Sequence, residues 1–357
     1  MSIKRGSESF ALENGQEGNI MRIGIITLTL STALLFSTAG FADDSSVDLD
    51  QSGNDNTFTI IQDGPGASLA VVTQNGDHND VAIHQTSFLL PPGAVSAYVL
   101  QQDNSEATAT ITQSGNAHTV VTQANSTNVT VTVNQHAGDG FGELRLYQEG
   151  QGLVFQADMN GEGHSIFASG QGRGQFGTNN TARLAQQFQD ADIFFRQEGD
   201  SNLAELTQSS IFGRIEFDQR GNLNTTRLVE SGGGPFEQIR QSGTSNLIDL
   251  VIDSDAKITI DQSGTFNELS GIVNLNLTPP KYSIQQSGNL NLITLNVNNW
   301  SGAFVGSNIL MQTGDNGVMS LTQDGAGLSA ALTQTGIGNS MDINQTGTSS
   351  HIEVTQN

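Results

Sequence analysis

The 357-residue sequence contains no cysteine, which excludes disulfide cross-links, thiolate nucleophiles and cysteine-bound metal centres. Basic residues are scarce: 13 Lys and Arg stand against 36 Asp and Glu, a net charge of −23. A surface of that sign repels phosphate backbones and anionic membranes, so neither nucleic-acid binding nor membrane insertion is expected. Apolar side chains supply only 35% of the chain and aromatics 6%, too few for a thick oily core. The longest apolar run, Ile23 to Phe36, is too short to cross a bilayer comfortably as a helix.

Glycine is plentiful at 41 positions, and Asn, Thr and Ser are spread along the whole length. These residues weaken helices and favour turns and caps, which leaves strand and turn as the available local structures. The N-terminal region reads differently from the rest. Residues 1–20 are polar and precede a second methionine, consistent with a misassigned start. Residues 21–42 have the plan of a secretory signal peptide: Arg22, the apolar run, then Ala39-Gly40-Phe41-Ala42 as a small-residue cleavage site. The exported product would then be residues 43–357.

That remainder is dominated by a glutamine returning about every eleven residues. The series runs through Gln51, Gln62, Gln74, Gln85 and Gln113, resumes at Gln175, Gln197, Gln208, Gln219, Gln241, Gln262 and Gln286, and closes with Gln312, Gln323, Gln334, Gln345 and Gln356. Glycine follows two positions later at Gly53, Gly76, Gly115, Gly199, Gly221, Gly243, Gly264, Gly288, Gly314, Gly325, Gly336 and Gly347, among others. Nine copies continue to asparagine as Gln-x-Gly-x-x-Asn, at Asn56, Asn79, Asn180, Asn202, Asn224, Asn246, Asn267, Asn291 and Asn339. Where one half-repeat has drifted, Glu230-Ser231-Gly232 stands in place of Gln-x-Gly.

Between each Asn and the next Gln the residues alternate with period two. Asn202, Ala204, Leu206 and Gln208 share one face; Asn339, Met341, Ile343 and Gln345 do the same. This is the mark of a half-buried strand of about seven residues, and the short Gly-containing segment after Gln is a tight turn. Two half-repeats make a coil of about 22 residues whose strands face each other across a thin interior. Coils that cover their apolar faces only by stacking give an all-β solenoid with two parallel sheets, about fourteen coils long. Equivalent Gln and Asn side chains then lie above one another and can hydrogen-bond along the stack as ladders.

The pattern is expected to break in three places. Residues 86–100, carrying Pro91-Pro92, read as a loop; residues 274–281, with Pro279-Pro280, read likewise. Residues 136–195 keep fragments of the repeat but wander in spacing, so distorted or widened coils are expected there. Acidic turn residues, Asp55, Asp77, Asp139, Asp200 and Asp315, are candidates for gatekeepers that slow premature strand pairing through stacked like charges.

A repeat of this length built on Gln-x-Gly-x-x-Asn behind a secretory signal resembles the curlin repeats of curli fibre subunits, over roughly residues 46–357. The resemblance implies a secreted structural subunit that polymerises head-to-tail with itself into extracellular amyloid fibres for biofilm matrix and adhesion. It also implies a nucleator subunit, a periplasmic chaperone and an outer-membrane secretion pore as partners. In that family the stacked Gln and Asn stabilise the fibre, a role that carries over to the Gln and Asn positions named above. No enzymatic activity, cofactor or metal is expected: the six histidines, His78, His84, His118, His136, His164 and His351, lack paired ligand spacing. The competing readings are a monomeric solenoid adhesin or ice-binding module, prompted by Thr108, Thr110, Thr112, Thr130 and Thr132, and a polysaccharide-active β-helix enzyme with its cleft in 86–100 or 136–195.

Overall fold

In the computed structural model the described residues are 25–30, 32–36, 47–52, 57–62, 68–77, 80–86, 94–104, 106–114, 116–136, 142–160, 165–168, 174–187, 190, 192–210, 212–232, 236–254, 257–275, 281–299, 308–325, 328–348 and 350–357. Among them no residue is helical, and the chain winds into a β-solenoid. Successive strands alternate between two parallel sheets, one of 15 strands and one of 11. The alternation read from the sequence is realised as burial: Thr108–Ser114 follows the pattern exposed, buried, exposed, buried, because a strand places every second side chain on the same face.

Each coil stacks on the next in register. In the longer sheet Ala204 pairs with Ala182 on one side and Thr226 on the other. In the shorter sheet Ile193 pairs with Ile215, and Ile215 with Glu237. The interior between the sheets is a single apolar layer of Val, Ile, Leu and Ala with occasional aromatics. Phe155, Phe195 and Phe217 stack within it at centroid separations of 6.1 and 6.0 Å. A residue in this layer covers its neighbours above and below, which is how a chain with 35% apolar content keeps its core dry.

The irregular regions are narrower than expected. Ala94–Asn104 is a strand, not part of a loop, and pairs in register with Ser68–Asp77 and Asn116–Thr127. Its inward Val95, Ala97 and Val99 resume the alternation directly after the proline pair, and that pattern outweighs the local effect of Pro91-Pro92. Residues 87–93 and 276–280, with both proline pairs, lie outside the described residues. Across 136–195 the strands Glu143–Gln151, Val154–Asn160, Ser165–Ala168, Thr181–Gln187 and Asp192–Phe194 stay in the same two sheets. The wandering spacing is absorbed outside the strands and by a register shift between Gln148 and Gly150.

The longer sheet contains 13 parallel strands once the antiparallel pair Ile25–Leu30 and Thr32–Phe36 is set aside from its 15, against about fourteen coils expected. That pair comes from the segment read as a signal peptide. Ile25–Leu30 lies antiparallel against Phe58–Gln62, and Thr32–Phe36 beyond it forms the N-terminal edge of the longer sheet in the full chain.

The turn glycines divide into two kinds. At Asp200, Asn222, Thr244, Thr265, Asn289 and Asp315 the positive φ falls on the residue after the motif glycine, so the left-handed step sits one place later than the sequence suggests. Nothing lies within 4 Å of a Cβ built on Gly243, whereas one on Gly347, at φ +125, would stand 1.8 Å from the Gly325 carbonyl oxygen. Gly243→Ala is therefore expected to shift denaturant unfolding by no more than about 0.5 kcal/mol, while Gly347→Ala, strained as well as crowded, destabilises measurably more. Equal effects of the two substitutions would contradict this packing.

Candidate functional site

The chemistry-bearing feature of the molecule is not a pocket but two lines of buried amides running along the stack. From Gln197 onward in the shorter sheet's line, each glutamine donates to the next: Gln197 to Gln219 (2.6 Å), Gln219 to Gln241 (2.7 Å), Gln241 to Gln262 (2.7 Å), Gln262 to Gln286 (2.5 Å), Gln286 to Gln312 (2.8 Å) and Gln312 to Gln334 (2.6 Å). The asparagine line donates the opposite way, Asn202 to Asn180, Asn224 to Asn202, Asn246 to Asn224, Asn267 to Asn246 and Asn291 to Asn267, all at 2.7 to 2.8 Å. All these side chains are at most 3% exposed. An amide carries both donors and acceptor, so it can pass a hydrogen bond from coil to coil without leaving a buried polar atom unmet.

The spacing of the motif follows from what the second N–H of each amide does. Gln175, Gln219, Gln241, Gln262 and Gln312 donate it to the carbonyl six residues on, where the next strand begins. Asn202, Asn224, Asn246, Asn267 and Asn291 donate to the carbonyl four residues back. In Gln-x-Gly-x-x-Asn the two amides thus clamp the same corner from either end while stacking on the coils above and below. A turn that small cannot satisfy its own carbonyls, and the apolar side chains that line most of the interior have no donor to offer.

The longer sheet carries a less complete glutamine line. Gln62 donates to Gln85 (2.9 Å), Gln135 to Gln113 (2.9 Å), and Gln208 lies 3.5 Å from Gln186. Met159 interrupts between Gln135 and Gln186. Beyond Gln208 the register runs through Glu230, Ile252, Val273 and Val297 before Gln323 and Gln345. Gln323 donates instead to the buried Tyr282 hydroxyl across the interior, and burial pushes that phenol well above its ordinary range.

Some expected members stand apart. Gln74 stacks between Gln51 and Gln101 in register, yet its fully buried amide meets no partner among the described residues. Asn339 reaches the backbone carbonyl of Asn357 rather than Asn291, because Gly317 occupies the asparagine position in the intervening motif that starts at Gln312. Gln356 is exposed. Asn56, Asn79, Gly53 and Gly115 lie outside the described residues. Gln101, Gln123 and Gln148 belong to the shorter sheet's line, with Gln123 donating to Gln101 and Gln148 to Gln123. Gln135 and Gln186 belong to the other. All five are ladder members beyond the glutamine series expected from the motif. Spacings of 22 residues from Gln101 to Gln123, Gln113 to Gln135 and Gln186 to Gln208 were the signal available; only Gln148 has a glycine two places later.

The turn carboxylates serve the stack in a way charge counting does not suggest. Asp200 accepts from the Thr178 backbone N–H (3.1 Å) and Asp315 from the Asn289 amide (2.6 Å), each bridging neighbouring coils. Asp55 and Asp139 lie outside the described residues. On the outer face Glu205 accepts from both Arg183 and Arg227, 22 residues to either side, and this pairing holds its carboxyl below the usual range.

Other candidate chemistry is sparse. Among the described residues no group of three or more His, Cys, Asp or Glu is placed to hold a metal, and no helix is long and apolar enough to cross a membrane. Thr108, Thr110, Thr130 and Thr132 do form an outward patch, on two adjacent coils. A shallow, open recess of about 380 Å³ on the outer side is lined by Tyr147, Glu149, Phe176, Gly177, Glu198 and Gly199. Its carboxylates are engaged: Glu149 accepts from the Tyr147 hydroxyl and Glu198 from Arg196, each at 2.8 Å.

Comparison with protein-family models, with curated proteins and with solved structures finds no match to this chain.

Removing a ladder amide strands the amides on both sides of it in a dry interior. Gln219→Ala and Asn224→Ala are each expected to cost about 1–3 kcal/mol in denaturant unfolding, and Gln356→Ala, at an exposed site, close to nothing. A ladder substitution as mild as Gln356→Ala would show that the amides contribute packing alone.

Proposed function

We propose that the chain is a secreted structural subunit that adds to copies of itself, coil on coil, to build an extracellular amyloid fibre, and that it is not an enzyme. The observation that carries this reading is the ladder of Gln197 to Gln334, with its antiparallel-polarity companion from Asn180 to Asn291. Both are periodic along the stacking axis and self-complementary, so a coil of another copy can continue them with the same donors and acceptors. The strand edges offer the accompanying backbone groups.

The likeness of the Gln-x-Gly-x-x-Asn repeat to curlin repeats supports the same reading, and extends it to a biofilm-matrix and adhesive role. On that basis the partners are a second copy of the chain, a nucleating subunit, a periplasmic chaperone and an outer-membrane pore. The leader-like segment fits this scheme as well. While Ile25–Leu30 lies against Phe58–Gln62, no incoming coil can pair there; removal of residues 1–42 at export frees that edge.

Purified residues 43–357 are expected to convert, after a lag shortened by preformed fragments, into sheet-rich fibres that bind amyloid dyes. The chain retaining residues 1–42 is expected to elongate more slowly. A sample of residues 43–357 that stays monomeric for days at micromolar concentration, seeded or not, would overturn the proposal and favour a monomeric adhesin.

A further inference from the structure

Glu230 and Glu237 are anomalous. They are 1% and 0% exposed, in a solenoid whose other buried polar side chains are neutral. Glu230 occupies the glutamine position of strand Thr226–Gly232, stacked between Gln208 and Ile252. Glu237 occupies the inward position of strand Phe236–Gln238, in register with Ile215, and Ile258 takes the matching place in Lys257–Thr259.

The neighbouring coils show how close these two positions come. Two coils earlier the residue equivalent to Glu230 is Gln186, and its amide reaches the Asp192 carbonyl at 3.1 Å. Asp192 adjoins Ile193, whose position passes in register to Ile215 and then to Glu237. A side chain at the ladder position therefore ends beside the inward residue where the facing strand begins.

Among the described residues no Lys, Arg or His side chain is buried in the interior beside these two positions. The inward residues of the adjoining strands are Ala204, Leu206, Gln208 and Ser210 on one side, and Ile248, Leu250 and Ile252 on the other, of the longer sheet. In the shorter sheet they are Ile215 and Ile258, continued by Phe217, Gln219, Ile260 and Gln262. The charged residues of these elements, Glu205, Arg214, Glu216, Arg227, Asp249, Asp253 and Lys257, alternate to the outer face. No side chain among the described residues donates to either carboxylate oxygen of Glu237. Two carboxylates cannot both remain ionised in such a site.

We propose that Glu230 and Glu237 share a proton inside the coil, so that this rung is a pH-sensitive latch in the middle of the solenoid. With the proton present, one carboxyl donates to the other and the rung closes like a Gln ladder step. Without it, two buried anions repel and the rung opens. Desolvation first, and the Glu230 charge second, push the Glu237 carboxyl well above the ordinary glutamate range, its own backbone N–H pulling weakly the other way. A carboxyl raised on folding binds its proton more tightly in the folded chain. The stability it supports is complete below the ordinary glutamate range and is lost as pH rises through the raised value. The latch belongs to the coil itself and is independent of whether the chain polymerises.

The test is hydrogen exchange of the full chain between acidic and mildly alkaline pH, corrected for intrinsic rates. Protection in Thr226–Gly232 and Phe236–Gln238 is compared with that in Ile293–Asn299. Protection in the first two strands is expected to fall with rising pH, by roughly tenfold for each unit by which the pair is raised, while the third holds steady. Glu237→Ile, matching Ile215 and Ile258, and Glu230→Gln, restoring the ladder residue, should each shrink the fall, and the two together should abolish it. A protonated-carboxyl band should persist at neutral pH in infrared difference spectra of the native chain and vanish in the double variant. The proposal is overturned by a pH-independent native chain, by a slope that survives both substitutions, by absence of the infrared band, or by protection that returns on adding calcium rather than acid.

Discussion

Every level of this structure depends on the registered stacking of one coil on the next. The interior is a single layer of side chains, so no residue in it is buried by its own coil. Val131 is covered by Ala109 on one side and Phe155 on the other, and none of the three would be dry alone. The same contact that hides apolar surface brings equivalent amides to hydrogen-bonding distance, which is why apolar and polar stabilisation arrive together here rather than competing. Loss of register by one residue would turn every ladder amide outward and every outer charge inward.

The amide lines explain how the chain tolerates so little hydrophobic content. A sharp corner at each end of a thin coil leaves carbonyls that neither strand can pair. Gln and Asn meet them from opposite ends of the same six-residue motif, and the remaining N–H and carbonyl of each amide continue the line. Where Ile252, Val273 and Val297 replace Gln in the longer sheet, the interior is simply apolar there, and the shorter sheet's line carries on unbroken from Gln197 to Gln334. One continuous line per coil is enough to fix its corner. A carboxylate in such a line is a different matter, since it accepts but cannot donate unless protonated; Glu230 is tolerable only with a proton or a partner that supplies one.

Outer-face chemistry is organised by the same pitch. Arg183, Glu205 and Arg227 form a charged row at 22-residue intervals, and Asp200 and Asp315 tie adjoining turns together. Like charges at the same position on successive coils would repel, and the rows mix signs or mix Asp with Asn and Thr. The net charge of −23 is thereby spread along a long body instead of concentrated at one face.

The eleven-residue return of Gln, the Gln-x-Gly-x-x-Asn motif and the period-two alternation were enough to determine strands, turns, parallel stacking and the inward place of the amides, because each is a local consequence of backbone geometry. Three things lay beyond the sequence. The strand at Ala94–Asn104 was hidden because a proline pair nearby is a strong local signal, and only pairing on both sides shows it overruled. The left-handed step at Asp200 and its equivalents depends on how each corner rests on the one below. The meeting of Glu230 with Glu237, seven residues apart in sequence but on facing sheets, was decided by the fold alone: periodicity shows which way a side chain points, and only the path of the coil shows what it meets.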